Sequence, residues 1–379
     1  MKVSFLMPDM NCPVLGPVTV LARHVQKHMP VQVVGPDLGH GVCPMYRDSF
    51  PYTVVSCPRI YRFPDYFMEA RKLAAAVTGD VIIPVKAVGD TIPVALGLKR
   101  RRGCRVVPYL DEWDGALMAQ LTRAQRWRRW IAHWHHPVDD VYFPWVEKLI
   151  PQCDSVISTS TFMQRRFGGQ VIPMGVNVDY FKPTSAESAH ALRRELNVEG
   201  LKLVVFGGVV RPHKGIELIL EAIQLVNDPA LRFLVVGPVN EHVRALCAHP
   251  EHGRWIITAG PQPTSRMPAY LTLADIIALP LQDTLLAQSQ VPCKVFEAMA
   301  MGRPIIASAV SDLPSILGDC GWVVPPRDAR ALAHAMGEVL ADPARAARMG
   351  EAARQRCLEL YSQEVSERLL MDLLESLHV

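Results

Sequence analysis

The chain has 379 residues, 49% hydrophobic and 20% charged, with a net charge of +3, which excludes a disordered chain and is long enough for two cores rather than one. No run approaches the length of a membrane-spanning helix, and the N-terminal apolar run is too short for a signal peptide. Nine scattered cysteines without a C-x-x-C pair point to a reducing, cytoplasmic compartment and away from a disulfide framework or a zinc site. Residues 1–180 hold 21 Lys/Arg against 15 Asp/Glu, and the remainder 19 against 22; so small an excess predicts no nucleic-acid partner.

Short apolar runs alternate with longer amphipathic stretches, the pattern of βαβ units in a parallel sheet. Strands are expected at residues 2–7, 31–34, 52–55, 81–83, 106–109, 155–158 and 170–172, with helices at 18–28, 65–76 and 91–99. Residues 177–186 are polar and Pro-bearing and read as a linker. The rhythm restarts at 201–206 and continues through strands at 231–236, 255–257, 276–278 and 304–307. The prediction is an α/β chain of two Rossmann-like domains, 1–180 and 181–379, facing an inter-domain cleft. The last segment, broken at Asp342-Pro343, is helical. Its apolar residues at helical spacing, among them Leu370, Leu373 and Leu374, should pack on a domain.

Two stretches carry chemistry. From Phe206 a buried strand runs into Gly207 and Gly208, then Arg211, Lys214 and a helix opening near Gly215. Glycines let a ligand approach the backbone, and a helix N-terminus with two cations suits a diphosphate. An ordinary strand-to-helix turn would read the same way. Further on, a helix carries Lys294 and Glu297 on one face and ends at Gly302. Near the helix start, Glu297 can accept bonds from a sugar or ribose hydroxyl pair, or stand as a surface carboxylate.

Together these stretches resemble the retaining glycosyltransferases of family 4, of GT-B architecture. The shared elements are G-x-V-x-P-x-K-G from Gly208 to Gly215, Val236-Gly237, Ala259-Gly260, Ala274 to Pro280, E-A-M-A-x-G-x-P from Glu297 to Pro304, and Gly321 to Asp328. Residues 154–160 and 172–183 match more loosely. The resemblance implies a nucleoside diphosphate-sugar donor, of UDP or GDP type, with Arg211 and Lys214 on its diphosphate and Glu297 on its ribose. Backbone at Gly208, Gly237 and Gly260 to Gln262, including Pro261, would line the donor site, with Lys294 assisting. Gly16, after the first strand, stands where the family has a Gly-rich loop near the donor. The implied reaction is retaining, needs no metal or other cofactor, and serves polysaccharide biosynthesis.

The chain also departs from the family. The first Glu of the E-x7-E motif is replaced by Ser289, and the helix start instead reads P-x-K-x-x-E from Pro292. That substitution leaves open a second reading, a nucleotide-sugar-binding subunit without turnover. A dinucleotide oxidoreductase would need a G-x-G-x-x-G after the first strand, which is missing. After the strand at 106–109 stand Asp111, Glu112 and Asp114. Asp111 and Asp114 are the candidates to orient the acceptor hydroxyl or take its proton, with turn-capping the alternative. Trp127, Trp130 and Trp134 share one helical face flanked by arginines. Such a face suits an anionic membrane surface, here the inner one, and a lipid-linked rather than free glycan acceptor, or else it packs within its own domain.

Overall fold

The computed structural model describes residues 1–210 and 214–377. They form two compact units, residues 1–174 with 366–379, and residues 175–365.

In the first unit the strands are β1 (Val3–Leu6), β2 (Val31–Asp37), β3 (Thr53–Ser56), β4 (Val81–Pro84), β5 (Arg105–Val106), β6 (Tyr109–Leu110), β7 (Ile157–Ser158) and β8 (Gln170–Val171). The parallel order is β3-β2-β1-β4-β5, with a second ladder β6-β7-β8 joined to it by a bridge between Val85 and Tyr109. The strand expected over 106–109 is therefore two. Pro108 stands between β5 and β6, and without an N–H it cannot continue a ladder. The helices are α1 (Leu15–Gln26), α2 (Tyr66–Ala76), α3 (Ile92–Arg102), α4 (Ala116–Gln120), α5 (Arg123–His133), α6 (Phe143–Glu147) and α7 (Thr161–Phe167). β1 and β4 are buried throughout, as strands covered on both faces must be.

The second unit holds β9 (Lys202–Gly207), β10 (Leu231–Val236), β11 (Ile256–Gly260), β12 (Ile276–Leu279), β13 (Ile305–Ser308) and β14 (Trp322–Val324). Their parallel order is β11-β10-β9-β12-β13-β14. Renumbered from β9 this is 3-2-1-4-5-6, the doubly wound nucleotide-binding order, whose ligand crevice opens beyond the C-terminal ends of the strands flanking the reversal. Those strands are β9 and β12. Around the sheet lie α8 (Ala186–Glu195), α9 (Ile216–Val226), α10 (Glu241–Ala248), α11 (Met267–Thr272), α12 (Leu285–Ser289), α13 (Cys293–Ala300), α14 (Leu313–Leu317), α15 (Ala329–Ala341) and α16 (Pro343–Leu360).

Two sequence expectations need correction. Residues 177–186 are no free linker: Val178 and Phe181 pack against the core of the second unit, and the Asn177 side chain accepts from the backbone N–H groups of Asp179 and Tyr180. The chain changes units near Met174, not Phe181. The last helix, α17 (Gln363–Ser376), belongs for nearly all its length to the first unit rather than the second. Leu370, Leu373 and Leu374 enter the core formed by β1 and α1. Beside them Glu367 receives Lys27 (2.6 Å), His28 (2.8 Å) and His24 (2.9 Å), while Ser366 donates to the Pro173 carbonyl. Apolar spacing located the helix; only the three-dimensional core decides which sheet it covers. Among the described residues no helix is long and apolar enough to cross a membrane.

Candidate functional site

The donor-side candidates gather at the β9/β12 reversal. β9 ends at Gly207, and Gly208 follows with φ of +116°. A Cβ on Gly237, just past β10, would lie 2.3 Å from the Gly208 carbonyl oxygen, so this approach of two loops requires glycine. Asn240 steadies the turn by donating to the Val210 carbonyl (2.9 Å) while its side chain caps α10. Lys214 precedes Gly215, which starts α9 in the left-handed region (φ +69°). A Cβ on Gly215 would sit 2.1 Å from the Pro280 carbonyl oxygen at the end of β12. Gly215→Ala is therefore expected to destabilise the second unit by about 2–4 kcal/mol, from backbone strain plus overpacking. Urea denaturation checks this. Arg211 lies outside the described residues.

On the other flank, α13 turns Lys294 and Glu297 inward. With Phe206, Gly207 and Leu279 they line one narrow hollow at the strand ends. The Lys294 ammonium lies 5.5 Å from the Phe206 ring centre, a cation–π distance, and 2.8 Å from where a Gly208 Cβ would be. Tyr180 stands near Glu297; burial, and then that negative charge, raise the phenol above its ordinary pKa. Another hollow, of about 200 Å³, is lined by Lys202, Asp275 and Pro304. It opens where β9 and β13 begin, the wrong edge for a ligand of a doubly wound sheet.

Of three further candidates, two are held by local contacts. Ser289 is fully buried at the end of α12, its hydroxyl donating to the Leu286 carbonyl (2.9 Å). Pro261 is exposed just beyond β11. Gly16 is no loop residue but lies in the first turn of α1, where a Cβ would fall 2.5 Å from the Tyr46 ring.

In the first unit, Asp111 and Asp114 do come together, with Glu112, around a residue that no motif announced. Lys86 follows β4 with φ of +68°, rare for a residue bearing a Cβ. Its ammonium reaches Glu112 (2.6 Å), Asp114 (2.9 Å) and Asp111 (3.4 Å). Backbone bonds hold it there: Lys86 N–H donates to the Tyr109 carbonyl, and the Thr91 hydroxyl donates to the Lys86 carbonyl. Burial pushes Asp111 up to about 6, against the pull of Lys86, and raises Asp114 in the same way. Burial opposes the lysine's charge, yet the three carboxylates raise its pKa above the usual value. A carboxyl titrating near neutrality beside a fixed cation is suited to proton transfer. The same strand-end edge carries Asp90, wholly buried and pushed up to about 8, first by burial and then by Asp9.

The aromatic stretch forms α5, which buries no residue and opens with a capping box between Thr122 and Gln125. Trp127 and Trp130 stack at 5.5 Å. Trp134 lies at the helix end against His135. The neighbouring histidines are engaged locally, His133 by Asp139 and His136 by the Tyr61 carbonyl.

Residues 200–342 match the family profile described as Glycosyl transferases group 1. Across 99% of this chain the structure resembles that of HepE from Anabaena in complex with UDP, with a TM-score of 0.78, 17% identity and full coverage of that protein. The chain has a GT-B fold, and its segment 200–342 is similar to group 1 glycosyl transferases. Sucrose-phosphate synthase from Thermosynechococcus elongatus is similar over the whole chain and 99% of its own, with a TM-score of 0.75 and 20% identity. By sequence, the chain is 27% identical over 280 residues to a GDP-mannose-dependent alpha-(1-6)-phosphatidylinositol monomannoside mannosyltransferase of Mycolicibacterium smegmatis, covering 68% of this chain and 73% of that one. It is 29% identical over 203 residues to D-inositol 3-phosphate glycosyltransferase of Streptomyces avermitilis, covering 48% of this chain but only 41% of that one.

Proposed function

We propose that the protein moves a sugar from a nucleoside diphosphate-sugar donor to a hydroxyl of a glycan or lipid-linked acceptor, retaining anomeric configuration and using no metal. The observation that carries this reading is the gathering of the Gly208/Gly237 turn, Lys294 and Glu297 at the β9/β12 strand ends, with Lys214 at the start of α9. It lies in the segment matched as a group 1 domain. As the bond between the anomeric carbon and the phosphate oxygen breaks, its electron pair goes to the diphosphate. Arg211, Lys214 and the α9 N-terminus then stabilise a charge that is larger in the transition state than in the ground state. Glu297 accepts from the ribose hydroxyls. The acceptor oxygen bonds to the anomeric carbon, and Asp111 or Asp114 orients its hydroxyl and accepts the proton. Retention and metal independence are supported by the motif resemblance, and a UDP or GDP type of donor by the same resemblance and by the UDP and GDP-mannose named for the relatives. Helix α5, with Trp127, Trp130 and Trp134 and its arginines, is the part of the first unit we assign to the lipid side of the acceptor, at the inner membrane surface.

A thermal-shift series with UDP, GDP, ADP, TDP and NAD, without added metal, tests the reading. At about 100 times its dissociation constant, the right nucleoside diphosphate should stabilise the protein by about 2.7 kcal/mol. A shift with NAD alone, or with none of them, would remove the donor site.

A further inference from the structure

Between α4, α5 and α6 the first unit opens a groove of about 510 Å³. Met118, Trp127, Trp130 and Trp145 form its apolar wall, and Arg123 and Arg126 border it. Trp127 remains 61% exposed and Trp145 48%, although large aromatic side chains are ordinarily the first to be covered. Of the four arginines on α5, Arg129 is held by Asp140 (2.8 Å), while Arg123, Arg126 and Arg128 meet no carboxylate among the described residues. The Trp130 indole N–H also has no acceptor among them, a donor that a buried tryptophan usually satisfies.

We infer that this groove seats the lipid moiety of an anionic, lipid-linked acceptor, its chain along Trp127, Trp130, Trp145 and Met118 and its phosphate-type group against Arg123 and Arg126. The inference rests on the transferase reading and names the acceptor's class. Three observations support it. The volume is that of a seat for one ligand-sized molecule. Arg123 and Arg126, the latter donating only its Nε–H to the Leu121 carbonyl (2.9 Å), have no carboxylate among the described residues to offset their charge and call for an anion beside the apolar wall. The groove is also built from the elements that carry the acid cluster: α4 begins two residues past Asp114 and supplies Met118. α6 supplies Trp145, while its Glu147 accepts from the Trp113 indole (2.7 Å) between Glu112 and Asp114. A second copy of the chain fits poorly, because a two-fold contact through this face would set its arginines against themselves.

The probe is dodecyl phosphate, titrated below its micellar concentration against tryptophan fluorescence and by calorimetry, with inorganic phosphate and phosphatidylglycerol vesicles alongside. We expect one dodecyl phosphate per chain and no measurable binding of inorganic phosphate. Trp145→Ala and the pair Arg123→Gln/Arg126→Gln should each weaken binding by roughly tenfold, equivalent to about 1.4 kcal/mol. These side chains are largely solvent-facing, so the variants should keep the wild-type unfolding curve. Failure to bind, equal binding by the variants, or binding to vesicles alone would overturn the lipid seat, as would a chain dimer that dodecyl phosphate dissociates. The nucleoside diphosphate shift is measured on the same preparations. A shift that persists when dodecyl phosphate fails removes only the groove assignment, and a missing shift in the wild type removes the transferase reading.

Discussion

Lys214→Ala is expected to lower the rate of sugar transfer by about 10–100-fold or more, because each charge-assisted hydrogen bond to a phosphate is worth roughly 1.5–3 kcal/mol and about 1.4 kcal/mol is a factor of ten. Lys214 stands at the mouth of α9, immediately before Gly215, which on the proposed reading puts the lysine and the helix N-terminus on the same anion. The charge they meet grows as the diphosphate departs, and the turnover number should therefore fall more than the affinity for the free nucleoside diphosphate. Lys294→Ala should act in the same direction, since its ammonium lies against the Gly208 turn. Glu297→Ala has a different signature if it holds the ribose: binding of the nucleoside diphosphate weakens while binding of inorganic pyrophosphate does not. Calorimetric titration of both ligands, with steady-state transfer on the donor that shifts the melting curve, reads all three variants. Unchanged diphosphate affinity and rate in Lys214→Ala would move the donor away from α9.

The fold of the second unit and the place of the candidate donor residues within it were legible in the chain because their signals are local. Buried parallel strands read as apolar runs, and the Gly208 to Gly215 turn and the Lys294/Glu297 pair each lie within one strand-to-helix unit. β14 escaped notice because three residues ending in Val323 and Val324 are too few to show a period. Lys86 was invisible for a stronger reason. Alone between Val85 and Ala87, it looks like any loop lysine, and its carboxylates come from residues 25 to 28 positions later. What brings them together is the pairing of Val85 with Tyr109, a contact between chain segments that carries no local pattern. The placement of α17 on the first unit was hidden likewise, since one apolar helix face fits either sheet. Gly16 shows the converse: a glycine placed by resemblance in a Gly-rich loop after the first strand lies in α1, packed under the Tyr46 ring.

Lys86→Met is expected to cost about 2–4 kcal/mol of stability at pH 8, and much less at pH 5. Removing one partner of a buried ion pair typically costs about 3–5 kcal/mol, and the value is lowered here because Glu112 is 33% exposed. The sign of the pH dependence follows from the acids. In the wild type, burial raises Asp111 from 3.8 to about 6 and raises Asp114 as well. An acid whose folded pKa exceeds its unfolded value loses stability as pH climbs from the unfolded value through the folded one. For Asp111 that window runs from 3.8 to about 6. Lys86, with its pKa raised in the fold, contributes throughout this window, and its contribution fades only above the ordinary lysine range. Without the ammonium, three carboxylates face one another with no cation among them, the pKa values of Asp111 and Asp114 rise further, and the window of lost stability extends upward through neutrality. Urea denaturation of both proteins at pH 5 and pH 8 measures this directly. An equal loss at the two pH values would mean that Lys86 holds the loop by packing and backbone geometry, and that Asp111 and Asp114 do not depend on its charge to stay ionised.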